Sequence, residues 1–225
     1  MTRHIFLDFD GTLVDSSEGI HMAFTRACEE VGIKAPPLTE FRSCIGPPIQ
    51  VLARQLVPEI ESDRLEALRL RFRAEYDHKY YSQVQWHEGV IEGLKQLHAQ
   101  ADASLSIVTN KPTQPTNSLV ADARIADLFA SIIGIDFRVT LGEGKVFSSK
   151  KEAISYALSR TLCSREGAVY VGDTPSDQKA SLECGVAFIA ATYGFHLWLP
   201  HELEGTTAAG SFAGVMDCLK RMAGN

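Results

Sequence analysis

Ile5-Phe6-Leu7-Asp8-Phe9-Asp10-Gly11-Thr12 decides how this chain is read. The apolar run predicts a short buried strand, and two aspartates follow it with one residue between them. Side chains of an extended chain alternate faces, so on a continued strand both carboxylates project to the same side. Gly11 then lets the backbone turn tightly beneath them. Two like charges so close raise each other's pKa unless a cation or a chemical task balances them. The competing reading is a strand that ends in an ordinary Asp-Gly turn, and the rest of the chain must decide between the two.

Working outward, residues 16–84 read as wholly helical. Asp15-Ser16-Ser17-Glu18 offers an N-cap with an acid three residues later, and Ile20, Ala23, Phe24, Ala27, Cys28 and Val31 recur at helical spacing up to Gly32. Pro36-Pro37 breaks the chain, and Thr39 caps a short helix. Ile49, Leu52, Ala53 and Leu56 mark another helix, and Leu65, Leu68, Phe72 and Tyr76 a long one reaching about Tyr81. From Glu88 onward the character changes. A helix to Gln100 precedes the β-rich run Leu105–Thr109, and further apolar runs at 131–135, 168–171 and 186–190 alternate with helices through Leu119, from about Ser149, over 176–184 and at the C-terminus. Short continuous apolar runs between helices predict βαβ units and a parallel sheet covered on both faces. The expected fold is α/β, a doubly wound parallel, Rossmann-like sheet. Its core comprises residues 1–15 and 85–225, and residues 16–84 form a separate small helical domain inserted on two hinges.

Composition narrows the function classes. The 225 residues are 45% hydrophobic, and 22 basic against 28 acidic residues give a net charge of −6. An acidic balance argues against nucleic acid as the main partner. The apolar run at the N-terminus is interrupted at once by Asp8, which fits neither a signal segment nor a membrane span. Cys28, Cys44, Cys163, Cys184 and Cys218 are odd in number and free of CxxC spacing, as expected of thiols in a reducing compartment. A soluble cytoplasmic protein follows as the expectation, with monomer and homodimer both left open by the sequence.

In open parallel sheets, ligands bind beyond the carboxyl ends of the strands. The first strand delivers Asp8 and Asp10 to that edge, the second delivers Thr109 and Asn110, and the strand at 168–171 delivers Asp173, with Asp177 four residues on. Four carboxylates converging there would repel one another strongly, so the arrangement implies a bound cation. Oxygen-only ligands select Mg²⁺ over zinc. Such a site beside a hydroxyl and a lysine is a receptor for a phosphoryl group, to which backbone N–H groups of the loop after Asp8, at Gly11, add donors. Asp8 can attack phosphorus as a nucleophile, while Asp10 protonates the leaving alkoxide and then activates water.

Together, Asp8-Phe9-Asp10-Gly11-Thr12, the strand-end Thr109 and Gly172-Asp173-Thr174-Pro175-Ser176-Asp177 resemble the haloacid dehalogenase superfamily of phosphatases, over residues 5 to about 195. The resemblance implies a nucleophile at Asp8, an acid/base at Asp10, a phosphate-binding Thr109 and a metal ligand at Asp173. It adds the Asp10 backbone carbonyl as a ligand and brings Asp177 to the metal directly or through water. A lysine that pairs with nucleophile and phosphate is also implied. The family's usual Lys-Pro is missing, and Lys150, 23 residues before Asp173, is favoured over Lys145 and Lys151. Gly144-Lys145 is not a P-loop, since Val139 and Val146 replace the residues needed. The helical insertion is similar to the family's small cap, which excludes water and carries selectivity. Ile45-Gly46-Pro47-Pro48 resembles the cap turn of phosphoglycolate-phosphatase-like members, although it also reads as a plain helix start. Arg42 and Arg54 beside it read chiefly as surface charges and otherwise as partners of a substrate carboxylate, and Tyr193-Gly194 chiefly as a plain turn and otherwise as support for the phosphate loop. The implied activity is Mg²⁺-dependent hydrolysis of a small phosphomonoester, phosphoglycolate foremost. A sugar phosphomutase, a nucleotide monophosphatase and a non-catalytic phospholigand-binding protein are the alternatives.

Overall fold

The computed structural model describes residues 3–136, 146–161 and 165–223. Lys145 and Cys163 lie outside these residues. The chain divides into two compact units, Met1–Val14 with Trp86–Asn225, and Asp15–Gln85.

In chain order, β1 (Arg3–Leu7) leads to β2 (Val14–Asp15), and the helical unit follows with α1 (Ser17–Glu30), α2 (Leu38–Phe41), α3 (Ile49–Leu56) and α4 (Ser62–Glu75). The chain returns through β3 (Gln85–Trp86), which pairs with β2. There follow α5 (Val90–His98), β4 (Ala103–Val108), α6 (Thr113–Asp122), β5 (Ser131–Ile133), α7 (Lys150–Arg160), β6 (Ala168–Gly172), α8 (Pro175–Glu183), β7 (Ala187–Ala191), β8 (Thr207–Ala209) and α9 (Phe212–Ala223).

Six strands form one sheet in the order β5-β4-β1-β6-β7-β8, and every pair described is parallel. β1 sits between β4 and β6 because it is apolar on both faces; Ile5, Phe6 and Leu7 are fully buried. Phe6, Tyr170 and Phe188 stand side by side in register and pack against Ala153, Ile154 and Ala157 of α7 and Ala180 of α8. Burying each such ring contributes roughly 1.5–3 kcal/mol. The alternate residues Ile5, Leu7, Ile107, Val171 and Ile189 are equally buried, with α5 and α9 covering that side. Gly93 brings these two helices together, since a Cβ there would lie 2.6 Å from the Phe212 ring. The order reverses at β1, and in open parallel sheets such a point, here at the ends of β1, β4 and β6, is where ligands bind. β8 has no counterpart in the apolar pattern, because Thr207-Ala208-Ala209 is a three-residue edge strand without a bulky side chain.

In the helical unit, α1 and α4 bury facing stripes, Ile20, Phe24 and Ala27 on one and Leu65, Leu68 and Phe72 on the other. Ser16 is the N-cap of α1, and the preceding Asp15 holds the first helical residue, its Oδ1 accepting from the Ser17 N–H at 2.9 Å and the Ser17 hydroxyl at 2.6 Å. The long helix expected to reach Tyr81 widens after Glu75 into a π turn over Tyr76–Tyr80. This keeps Tyr76 and Tyr80 both buried, while Gly19 leaves room for the Tyr80 carbonyl, 2.5 Å from where a Cβ would stand. Arg42 is engaged with Asp15 Oδ2 at 3.0 Å, and Arg54 is exposed. Pro48 is the N-cap of α3.

Candidate active site

β1 ends one residue before Asp8, and the Asp8 N–H donates to the Val171 carbonyl at 2.9 Å, tying the residue to the end of β6. Asp173 follows β6, and Thr109 follows β4, its N–H held by the Ile133 carbonyl at 2.9 Å. Asp8, Asp173 and Asp177, all buried, each offer a carboxylate oxygen, and these three atoms lie within 4.8 Å of one another. Lys150 opens α7 and places its Nζ 2.6 Å from Asp8 Oδ2 and in contact with Asp177 Oδ1. Its neighbour Lys151 instead meets Glu183 at 3.1 Å on the exposed surface. Successive helical residues point about 100° apart, so only one of the two lysines can face the sheet. Beneath Lys150 lies the Tyr170 ring, 5.8 Å from Nζ, and the Tyr170 hydroxyl donates to the Val108 carbonyl at 2.6 Å.

The acids on β6 and α8 are held from several sides. Asp177 Oδ2 accepts from the Thr174 N–H (3.1 Å) and hydroxyl (2.7 Å), a capping box that starts α8 with Pro175 in its first turn. Asp173 Oδ2 accepts from the Phe195 N–H at 2.8 Å and Oδ1 from the Thr12 hydroxyl at 3.3 Å. A Cβ on Gly194 would stand 2.2 Å from Asp173, and the Tyr193 hydroxyl donates to the Thr12 carbonyl at 2.9 Å. Tyr193-Gly194 is therefore more than a plain turn, because it packs the turn after Asp8 against Asp173.

Two expectations change. Asp10 does not join the other three carboxylates among the described residues, because the strand stops at Leu7 and the alternation argument no longer applies. Its oxygens instead receive Lys111 Nζ at 3.0 and 3.3 Å. Lys111 was not singled out in the sequence; its signal was its place two residues beyond the strand-end Thr109. Gly11 also serves differently from a phosphate donor, since its N–H is taken by the Val14 carbonyl at 2.8 Å. The glycine is required by its φ of +82° and by Asp173, 2.1 Å from a would-be Cβ. Asn110 follows Thr109 at the β4 end, partly buried.

Burial pushes the Asp8 carboxyl up to about 6, opposed by Lys150 and reinforced by Asp177, with the Thr109 hydroxyl hydrogen-bonding its charged form. Burial also raises Asp173 well above the carboxylate range, and the charges of Asp177 and Asp8 add to it. For Lys150 burial pulls downward, but Asp177 and Asp8 outweigh it and the net shift is upward. Three buried carboxylates and one ammonium leave a formal charge of about −2 in a desolvated site, which a divalent cation with oxygen preference balances. The donor set therefore fits Mg²⁺.

The sequence matches the pattern of the haloacid dehalogenase-like hydrolases over residues 5–191. It is similar to phosphoglycolate phosphatases of Yersinia pseudotuberculosis (30% identical, covering 86% of this chain and 82% of the relative) and Cereibacter sphaeroides (28%, 88% and 89%). Among solved structures, a haloacid dehalogenase-like hydrolase from Streptococcus pneumoniae superposes with a TM-score of 0.82 at 27% identity, covering 97% of this chain and 98% of that one. A predicted phosphatase from Clostridium acetobutylicum shares the fold at a TM-score of 0.84 and 21% identity, over 98% and 99% of the two chains. With the family pattern running through β1, β4, β6 and β7, this chain belongs to the haloacid dehalogenase-like hydrolases.

Proposed function

We propose that the protein is a Mg²⁺-dependent phosphomonoester hydrolase that acts on a small phosphorylated metabolite through an aspartyl phosphate at Asp8. Phosphoglycolate is the leading substrate, by similarity to the relatives above. The observation that carries the reading is Asp8 itself, a buried carboxylate 2.6 Å from Lys150 at the end of the central strand, with Thr109 beside it and Asp173 within reach of the same cation. Asp8, Asp173 and the Asp10 carbonyl would hold the metal, with Asp177 joining directly or through water. The bound ion supplies charge neutralisation for the phosphoryl oxygens.

Lys150 and the Thr109 hydroxyl orient the phosphoryl group opposite Asp8. An Asp8 oxygen attacks phosphorus, the ester P–O bond breaks, and the Asp10 carboxyl gives its proton to the leaving alkoxide. The Asp10 carboxylate then takes a proton from water, whose oxygen displaces Asp8 and releases inorganic phosphate. Asp177, occupied by Thr174 and Lys150, keeps that lysine in place. The unit Asp15–Gln85 acts as a cap that carries selectivity, and the protein works in the cytoplasm on a soluble substrate. No helix among the described residues is long and apolar enough to cross a membrane. Turnover of a metabolite phosphate panel tests the proposal. Mg²⁺-dependent release of phosphate, abolished by EDTA and by Asp8→Asn, is expected, and no turnover of any member by the wild type would overturn it.

A further inference from the structure

We infer that Lys111 is a positioning residue for the general acid. It holds the Asp10 carboxylate where the leaving-group oxygen departs, and so governs turnover of esters whose alkoxide needs protonation. The inference rests on the role proposed above for Asp10.

Lys111 is built into the fold rather than placed on its surface. Its side chain is 1% exposed, whereas Lys95, Lys151 and Lys220 in surface ion pairs are 52%, 52% and 65% exposed. Its backbone is fixed on both sides. The Lys111 N–H donates to Thr109 Oγ1 at 3.2 Å, and the Lys111 carbonyl accepts from the Ile135 N–H at 3.4 Å. Two residues on, the Thr113 N–H donates to Asp136 Oδ1 at 2.7 Å. Gly134 allows this loop to lie directly on the end of β5, since a Cβ there would fall 2.5 Å from both the Lys111 carbonyl and the Thr113 nitrogen. Nζ also stands 5.8 Å from the centre of the Phe9 ring.

The geometry at Asp10 gives this rigidity a purpose. The Asp10 side chain is 19% exposed, on a turn beyond the strand, beside a buried cluster that carries excess negative charge. Unassisted, a carboxylate there is repelled toward solvent. A single ammonium at 3.0 and 3.3 Å from its two oxygens opposes that repulsion and limits rotation of the carboxylate. The Thr109 hydroxyl accepts from the Lys111 N–H while hydrogen-bonding Asp8, so one loop sets the positions of nucleophile and acid together. Small misplacement of a reacting group slows a reaction up to roughly a hundredfold.

The test compares single-turnover formation of phospho-Asp8 from an alkyl phosphate, 2-phosphoglycolate, and from 4-nitrophenyl phosphate, whose leaving group needs little protonation. Lys111→Met is expected to slow the alkyl ester by roughly tenfold or more and the aryl ester by less than about threefold, with KM nearly unchanged and Lys111→Arg recovering most of the loss. Equal slowing of both esters, a loss confined to KM, or an arginine variant no better than methionine would overturn the inference. Lys111→Gln gives the same reading should the methionine variant not fold. Asp10→Asn in parallel separates the two levels. If that variant keeps full turnover of the alkyl ester, the assigned role of Asp10 fails; if it is impaired while Lys111→Met is not, only the inference about Lys111 fails.

Discussion

The two aspartates that open the chain are each paired with a lysine, and the pairs differ in kind. Asp8 and Lys150 are both buried, and Lys150 is shared with Asp177 in a closed network under Asp173. Asp10 is partly exposed, and its partner comes from a loop after β4 rather than from a helix start. The difference follows from the chemistry proposed for each acid. A nucleophile must stay fixed and dry, whereas a group that trades protons with an alkoxide and with water must border the solvent.

Removing the buried partner should have the largest effect. Lys150→Met leaves two carboxylates uncompensated in a desolvated site, and a loss of about 3–5 kcal/mol in stability without added cation is expected, read by denaturant unfolding. Turnover should fall by roughly a hundredfold or more. If stability and turnover both stay near wild type, the closed network has been misjudged.

The pH dependence of folding sharpens the contrast from the other side. Burial raises the Asp8 carboxyl from 3.8 to about 6, and Asp173 moves the same way. The folded state then binds protons more tightly than the unfolded chain, so this stability is full below about pH 4 and is lost as pH rises through about 6. Mg²⁺ binds the ionised form, so its stabilisation should be larger at about pH 7.5 than at about pH 5. Thermal melts at both pH values with and without Mg²⁺ would show it, and an equal shift at each would count against a carboxylate cation site.

Smaller effects separate support from ornament. Tyr193→Phe removes only the hydroxyl that holds the Thr12 carbonyl, and a loss of about 1 kcal/mol is expected, measured by the denaturation midpoint. Lys151→Met, next to the buried lysine but paired with Glu183 on the surface, should change stability by less than about 0.5 kcal/mol and leave turnover unchanged. A large activity loss in that variant would mean that the two neighbouring lysines had been assigned the wrong way round.

How far the sequence could be read follows the same physics. β1, β4, β6 and β7 were legible because burial on both faces demands continuous apolar runs, and β8 was not, because two alanines and a threonine at an edge carry no such mark. Asp8, Thr109 and Asp173 were legible as polar residues directly beyond apolar strands. Lys150 was favoured through the family resemblance, by its spacing of 23 residues before Asp173, although its neighbour offered the same charge. Asp10 was assigned to the metal cluster by an alternation that ends at Leu7, and its partner Lys111 lies 101 residues away, a pairing that no local pattern announces. Phe195 was invisible for another reason. It serves Asp173 through its backbone N–H, which every residue but proline possesses.

The most direct test of the account is the site of the covalent intermediate. Enzyme mixed with substrate and Mg²⁺, quenched in acid within the first turnover and digested, should carry a phosphoryl group on the peptide containing Asp8, and the Asp8→Asn variant should carry none. Phosphate attached to another residue, or intact turnover with no phosphorylated peptide at any quench time, would contradict it.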